Sequence, residues 1–254
     1  MATAAHCHYC FDVLASHLEG RPALSLARIE ELLQKQQQQQ KPPATTNGHS
    51  KSELTNNVST VTSTLPKMPL FVTWKKLSPS GHLDLRGCIG TFDPKPLESG
   101  LKDYALTAGL HDTRFDPITA RELPRLECGV TLLTNFEPAV DAMDWTLGTH
   151  GLQIDFVYHH RRMGATYLPD VPEEQGWTKE ETLVSLMRKA GWTGKRDEWR
   201  KVALRVTRYR GSKATVSYGG YQGLLKVGEG EDEEDEEEEE EEDEDEYVLG
   251  KGGK

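Results

Sequence analysis

Residues 34 to 66 read QKQQQQQKPPATTNGHSKSELTNNVSTVTSTLP, and residues 229 to 246 read EGEDEEDEEEEEEEDEDE. Neither stretch has the apolar surface that would offset the entropy of ordering it, and in the second the like charges also repel one another. Both are expected to be disordered. The foldable part of the 254 residues is therefore shorter than the chain, enough for one or two domains.

The acidic run also distorts the charge balance. The formal net charge is −11, yet residues 229–254 hold 17 acidic side chains and two lysines, which leaves 28 basic against 24 acidic residues in the rest. A low isoelectric point thus says little about the folded surface. Four cysteines are present, Cys7, Cys10, Cys88 and Cys128, with no signal-peptide pattern and no apolar run near the roughly 20 residues needed to span a membrane. The expectation is a soluble intracellular chain with reduced thiols and no membrane partner. A glutamine tract with an acidic run suits a eukaryotic protein of the nucleus and/or cytoplasm.

Periodicity organises the remainder. Apolar positions predict helices over 7–18, 23–35 and 97–110, the last with Leu97, Leu101, Tyr104, Ala105 and Ala108 on one stripe. A further helix over 179–190 starts at Thr178 and Glu181, which stand at capping-box spacing, and stops at Gly191. Strands are expected at 69–77, across LRGCIG after the turn formers SPSG, and at 126–136 and 151–160. The last of these is expected to pair across RRMG with ATYL, and 201–209 is expected to turn Val202, Leu204 and Val206 inward. Interleaved helices and strands with hairpin-length gaps imply an α+β fold with a largely antiparallel sheet and packed helices, and no internal repeat is visible.

The stretch HLDLRGCIGTF, residues 82–92, carries the sharpest chemistry. Strict alternation would place Leu83, Leu85, Gly87 and Ile89 on one face and His82, Asp84, Arg86 and Cys88 on the other. Cys88 would then be a nucleophile candidate, because a nearby cation lowers a thiol's pKa and Arg86 would lie about 7 Å away along the strand. Asp84 joins the same polar face as a ligand-binding candidate, while Gly87 and Gly90 would let a ligand or backbone come close. The plainer reading makes Cys88 a small buried hydrophobe and pairs Arg86 with Asp84. His82, His111 and His150 are the candidate bases, and no spacing selects among them.

HCHYC, residues 6–10, offers two histidines and two cysteines, but no second cluster follows downstream to close a zinc site, and no metal is expected. His159 and His160 sit at a hairpin end and are expected to be solvated. There is no G-x-S-x-G, G-x-x-x-x-G-K, H-E-x-x-H or dinucleotide fingerprint, and no cofactor is implied. Residues 188–213 hold ten basic side chains against two acids. The acidic run follows within sixteen residues and is expected to screen that segment, so the full chain should bind nucleic acid poorly; a basic partner for the tail is the alternative.

In order along the chain, LRGCIGTF, DTRFDPI, ELPRLECGVTLLTNFE, DWTLGTHGLQIDF, ATYLPDVPEEQGW, ETLVSLMRKAGW and TRY…SY closely resemble the AMMECR domain family, named for the human chromosomal region of Alport syndrome, mental retardation, midface hypoplasia and elliptocytosis. The resemblance covers residues 5–225, interrupted by the insert at 34–66. It implies a compact α+β domain whose larger and smaller parts meet at a cleft, with LRGCIG as its signature element. It also implies an intracellular, regulatory role with no established reaction, and prokaryotic relatives that accompany Memo-like and radical-SAM-like domains. This chain has no C-x-x-x-C-x-x-C cluster of its own. Carried over residue by residue, the resemblance nominates Arg86, Gly87, Cys88 and Gly90, together with Arg114 of DTRF and Glu174 of EEQGW. The favoured expectation is a regulatory module whose cleft holds a small ligand or a protein partner. The alternative is an enzyme in which Arg86 orients an anionic substrate for Cys88.

Overall fold

The computed structural model describes residues 1–39 and 67–228. The acidic tail and all but the start of the glutamine-rich insert lie outside the described residues, and with them the expectations made for those segments.

Helix α1, Ala4–Glu19, is buried without a break from Ala5 to Ser16. That exceeds the single apolar stripe its sequence suggested, and a helix buried on every side must be a core element. It ends at Gly20, whose φ of 73° is left-handed and whose N–H donates to the Ser16 carbonyl. Helix α2, Leu26–Gln39, runs into the glutamine tract, so residues 34–39 are helical rather than part of a disordered insert. Glutamine is a good helix former, and Gln36 Nε2 donates to the Gly223 carbonyl at 3.3 Å.

Six strands follow: β1 Lys67–Leu77, β2 Leu83–Pro96, β3 Leu126–Pro138, β4 His150–Tyr158, β5 Arg161–Tyr167 and β6 Arg205–Ser217. They form one antiparallel sheet in the order β2-β1-β3-β6-β4-β5. Helix α3, Leu97–Leu110, lies where its stripe predicts, and the short α4 spans Val171–Glu174. Helix α5, Lys179–Lys189, opens on the capping box read from Thr178 and Glu181. A final helix, α6, occupies 218–228, the last described residues.

Two elements differ from expectation. The β4–β5 turn is made by His159 and His160, with φ of 47° and 59°, and RRM belongs to strand β5. Two left-handed residues in a two-residue loop match the twist of a hairpin, which RRMG could not do while pairing along its length. The last strand starts at Arg205, after a 3₁₀ helix over Arg196–Lys201, and continues to Ser217. Its Arg208 pairs with Glu137 and Asp144.

Two cores share the sheet. The larger packs α1, α2, α3 and α6 on β1, β2 and β3. Phe11 stands edge-on to Trp74 at 5.0 Å and stacks on Tyr221 at 5.5 Å. The smaller gathers Leu152, Ile154 and Phe156 of β4 with Leu183, Leu186 and Met187 of α5, beside Trp145 and Trp199. Within the larger core the Asp12 carboxylate is wholly buried; it accepts from Tyr221 Oη at 2.8 Å and Leu24 N at 2.6 Å, and pairs with Arg21 at 2.9 Å.

Strand β2 departs from regular alternation at Arg86. On β1 the neighbours Trp74 and Lys75 face Gly87 and Leu85, so Arg86 is an extra residue, a β-bulge. The extra residue moves Gly87 to the helix side and leaves Leu85 and Cys88 on the opposite side. The expected grouping of Arg86 with Cys88 is therefore corrected: the bulge reverses the face of every residue beyond it. Gly87 lies so close to α3 that a Cβ there would come within 2.0 Å of the Ala108 carbonyl oxygen. Gly87→Ala should lower stability by about 2 to 3 kcal/mol in urea denaturation, as overpacking against backbone does. Gly223→Ala, in α6 with open space at its Cβ, should raise it by about 0.5 to 1 kcal/mol through helix propensity.

Candidate ligand-binding site

The sheet curls until its two edges approach one another. Phe71 of β1 meets Phe92 of β2 at 5.3 Å, Phe92 meets Tyr209 of β6 at 5.6 Å, and Tyr209 Oη donates to the Tyr167 carbonyl of β5 at 2.8 Å. Between the edges lies a cavity of about 680 Å³. One wall is β1 and β2, with Phe71, Thr73, Lys75, Leu83, Leu85 and Cys88; the other is the segment from Thr166 to Glu174, closed by Lys189 of α5 and Lys213 of β6. The volume is within the range of small-molecule sites.

Cys88 lies in the wall opposite Thr73, its register partner on β1, and the Thr73 hydroxyl is 3.1 Å from its Sγ. Beneath it Asp112, 5% exposed, accepts the Cys88 N–H at 2.9 Å and holds Arg114 by two bonds, Nε to Oδ1 at 2.9 Å and Nη2 to Oδ2 at 2.6 Å. Arg114 Nη2 in turn donates to the Cys88 carbonyl at 3.0 Å. The Arg114 hydrogen bonds hold the Asp112 carboxyl well below the usual carboxylate range despite its burial. Burial pushes the Cys88 thiol up, and the Thr73 hydrogen bond and the Arg114 charge only partly oppose that. The site therefore favours a neutral thiol.

Four cations, Lys75, Arg114, Lys189 and Lys213, line this cavity with two acids, Asp170 and Glu174. Lys213 pairs with Asp170 at 2.9 Å. Lys189 donates to the Thr166 carbonyl and sits over the Tyr167 ring, 4.6 Å from its centroid. Leu83 and Leu85 are 41% and 42% exposed at the rim. Such a hollow suits a molecule with an apolar body and a negative group.

Of the residues nominated from sequence, the fold brings Cys88, Arg114 and Glu174 together. Arg86 faces the other way. Its guanidinium grips Glu122 through Nε at 3.0 Å and Nη2 at 3.1 Å, and donates to the carbonyls of Asp116 and Pro117. A second, open hollow of about 730 Å³ lies there. Asp84 is exposed opposite Lys76 and does not line the cavity around Cys88. Gly87 and Gly90 serve close packing: a Cβ on Gly90 would meet the Leu70 carbonyl and the Phe71 ring at 2.3 Å.

No histidine lines the cavity among the described residues. His82 and His111 are exposed, and His150 Nδ1 accepts from Thr146 N. Cys7 and Cys10, from HCHYC, are buried in the larger core, donating towards the carbonyls of Ala214 and Leu101. Of the ten basic residues at 188–213, Arg196, Arg200, Lys201, Arg208 and Lys213 each pair with an acid. Sequence reading missed Asp112, Thr73, Lys75, Lys189 and Lys213. Asp112 was findable, because an Asp two residues before an Arg at a helix end is suited to hold both that arginine and a backbone N–H.

The sequence matches the family described as AMMECR1 over residues 7–214. It is 47% identical to an uncharacterised protein of Arabidopsis thaliana over 64% of this chain and 77% of that one. With an uncharacterised protein of Schizosaccharomyces pombe it shares 37% identity over 85% of this chain and 93% of the other. Its fold resembles the crystal structure of an uncharacterised protein from Pyrococcus horikoshii, with a TM-score of 0.54 and 23% identity over 83% of this chain and 91% of that one.

The Arg86–Glu122 pair makes a prediction with a defined pH window. Burial works against the Glu122 charge, but Arg86, Lys76 and the Thr119 N–H outweigh it and bring its carboxyl from 4.5 down to about 2. A carboxyl lowered on folding contributes stability above its unfolded value and loses it as pH falls through the folded one. Arg86→Ala should cost about 2 kcal/mol at pH 7, and denaturation curves should show that deficit shrinking between about pH 4.5 and 2. A deficit independent of pH would mean that the pair does not hold the segment after α3.

Proposed function

The chain belongs to the AMMECR1 family, and on that premise we propose that it is an intracellular, non-catalytic binding module whose curled sheet holds a small ligand with an apolar body and an anionic group. The observation that carries this reading is the placement of Lys75, Lys189, Lys213 and Arg114 around an aromatic and leucine-lined hollow at Cys88. All four cysteines are free, in keeping with a reducing compartment such as nucleus or cytoplasm. Among the described residues no helix is long and apolar enough to cross a membrane.

Binding is preferred over nucleophilic chemistry for two reasons. The thiol is raised rather than lowered, and no described histidine stands in the cavity to take its proton. In folded protein the alkylation rate of Cys88 by iodoacetamide should rise with a midpoint above that of a free thiol, about 8.5. A midpoint below 7 would overturn the non-catalytic reading.

The aromatic sulfonate 8-anilinonaphthalene-1-sulfonate is a suitable probe, having both an apolar body and a fixed negative charge. One saturable site is expected by fluorescence titration. Lys75→Glu with Lys189→Glu should weaken it on the order of tenfold, the scale of one lost charge-assisted contact in a partly desolvated site, whereas Asp84→Asn should leave it unchanged. Equal affinity in all three proteins would remove the cavity as the binding site.

A further inference from the structure

The last described helix, α6, runs to the last described residue, Gly228, which packs near Leu32, and 26 residues follow in the sequence. Among them Tyr247, Val248 and Leu249 are the only apolar side chains, standing together directly after the acidic run DEDE at 243–246. The cavity at Cys88 presents the complementary pattern. Its exposed leucines, Leu83 and Leu85, form an apolar rim, and Lys75 and Lys189 have no carboxylate partner among the described residues.

We infer that the segment Asp243–Leu249 of the same chain occupies this cavity, with Tyr247 to Leu249 against the apolar rim and the preceding acids toward the lysines. The inference rests on the cavity being a binding site for anionic, apolar ligands, as proposed above. Geometry permits it: eighteen residues lie between Gly228 and Tyr247. At up to about 3.4 Å each they can span roughly 60 Å, more than the width of a domain of this size. Tethering gives the segment a local concentration of about the millimolar range. A bare affinity of about 100 μM would then keep the cavity filled about nine-tenths of the time. Any ligand must compete with the segment, so occupancy becomes a threshold that external ligand has to exceed.

Cys88 reports on the cavity, because Cys7, Cys10 and Cys128 are all fully buried. The full-length chain and its variant Tyr247→Ser, Val248→Ser, Leu249→Ser are alkylated with neutral iodoacetamide at about pH 8.5 and low salt, where charges act over about 30 Å. Mass spectrometry of the Cys88 peptide should show the unaltered chain reacting about tenfold more slowly than the variant, with the difference collapsing near 1 M salt as screening shortens to about 3 Å. The rate should not change with protein concentration. Equal rates at low salt would overturn the inference, and protection that grows with protein concentration would assign the segment to a second copy's cavity and overturn it as stated. Titrating the anilinonaphthalene probe into the variant separates the two readings. Binding there with equal Cys88 rates leaves the cavity reading standing and removes the tail. Loss of the probe site in the variant as well removes both.

Discussion

One extra residue in strand β2 decides which chemistry faces which way. With Arg86 bulged out between the pairs Trp74–Gly87 and Lys75–Leu85, the guanidinium and the glycine lie on the helix side and the thiol on the hollow side. The insertion sets the Arg86 grip on Glu122 on the same side as the close contact of Gly87 with the Ala108 carbonyl, and Leu85 on the same side as Cys88. Without it, the thiol and the guanidinium would share a face, and Leu85 would turn away from Cys88 to the helix side.

The same bulge explains the main failure of sequence reading at the site. Alternation is a rule of period two, so an irregularity of one residue inverts everything beyond it, and nothing in the letters LRGCIG marks where the irregularity falls. Elements whose signals are local were legible: the stripe of α3, the capping box of α5, the runs of β1 and β3. The hollow itself was not, because Lys75, Lys189 and Lys213 come from three elements far apart in the chain. Each one, read alone, looks like an ordinary solvated lysine. Cys88 was legible from its residue type, whereas Arg114 and Glu174 were legible only through family resemblance, which preserves residue identities without giving their geometry. The glutamine tract misled in the other direction: its composition reads as disorder, yet its first residues extend α2, with Gln36 bonded to Gly223.

Two charge systems with different roles sit back to back across β2. On the helix side the guanidinium of Arg86 is saturated by Glu122 and two carbonyls, an arrangement that holds the segment after α3 rather than a ligand. On the hollow side the cations outnumber the acids, and two of them lack carboxylate partners among the described residues. Arg114 touches both, since it borders the two hollows and is fixed by Asp112. An arginine clamped in this way contributes charge to the hollow and has little conformational freedom left to lose.

Helix α1 illustrates how far apart the parts of one core lie along the chain. Its Asp12 is satisfied by Tyr221, 209 residues later, and its Cys7 thiol by the Ala214 carbonyl. During synthesis this helix, buried from Ala5 to Ser16 in the finished fold, leaves the ribosome long before β6 and α6 exist to cover it. At about 5 to 20 residues per second the wait lasts on the order of ten seconds or more. Through that interval the Asp12 carboxylate has only its local partners, Arg21 and the Leu24 N–H, and the apolar side chains of the helix stay open to whatever binds such segments near the exit tunnel.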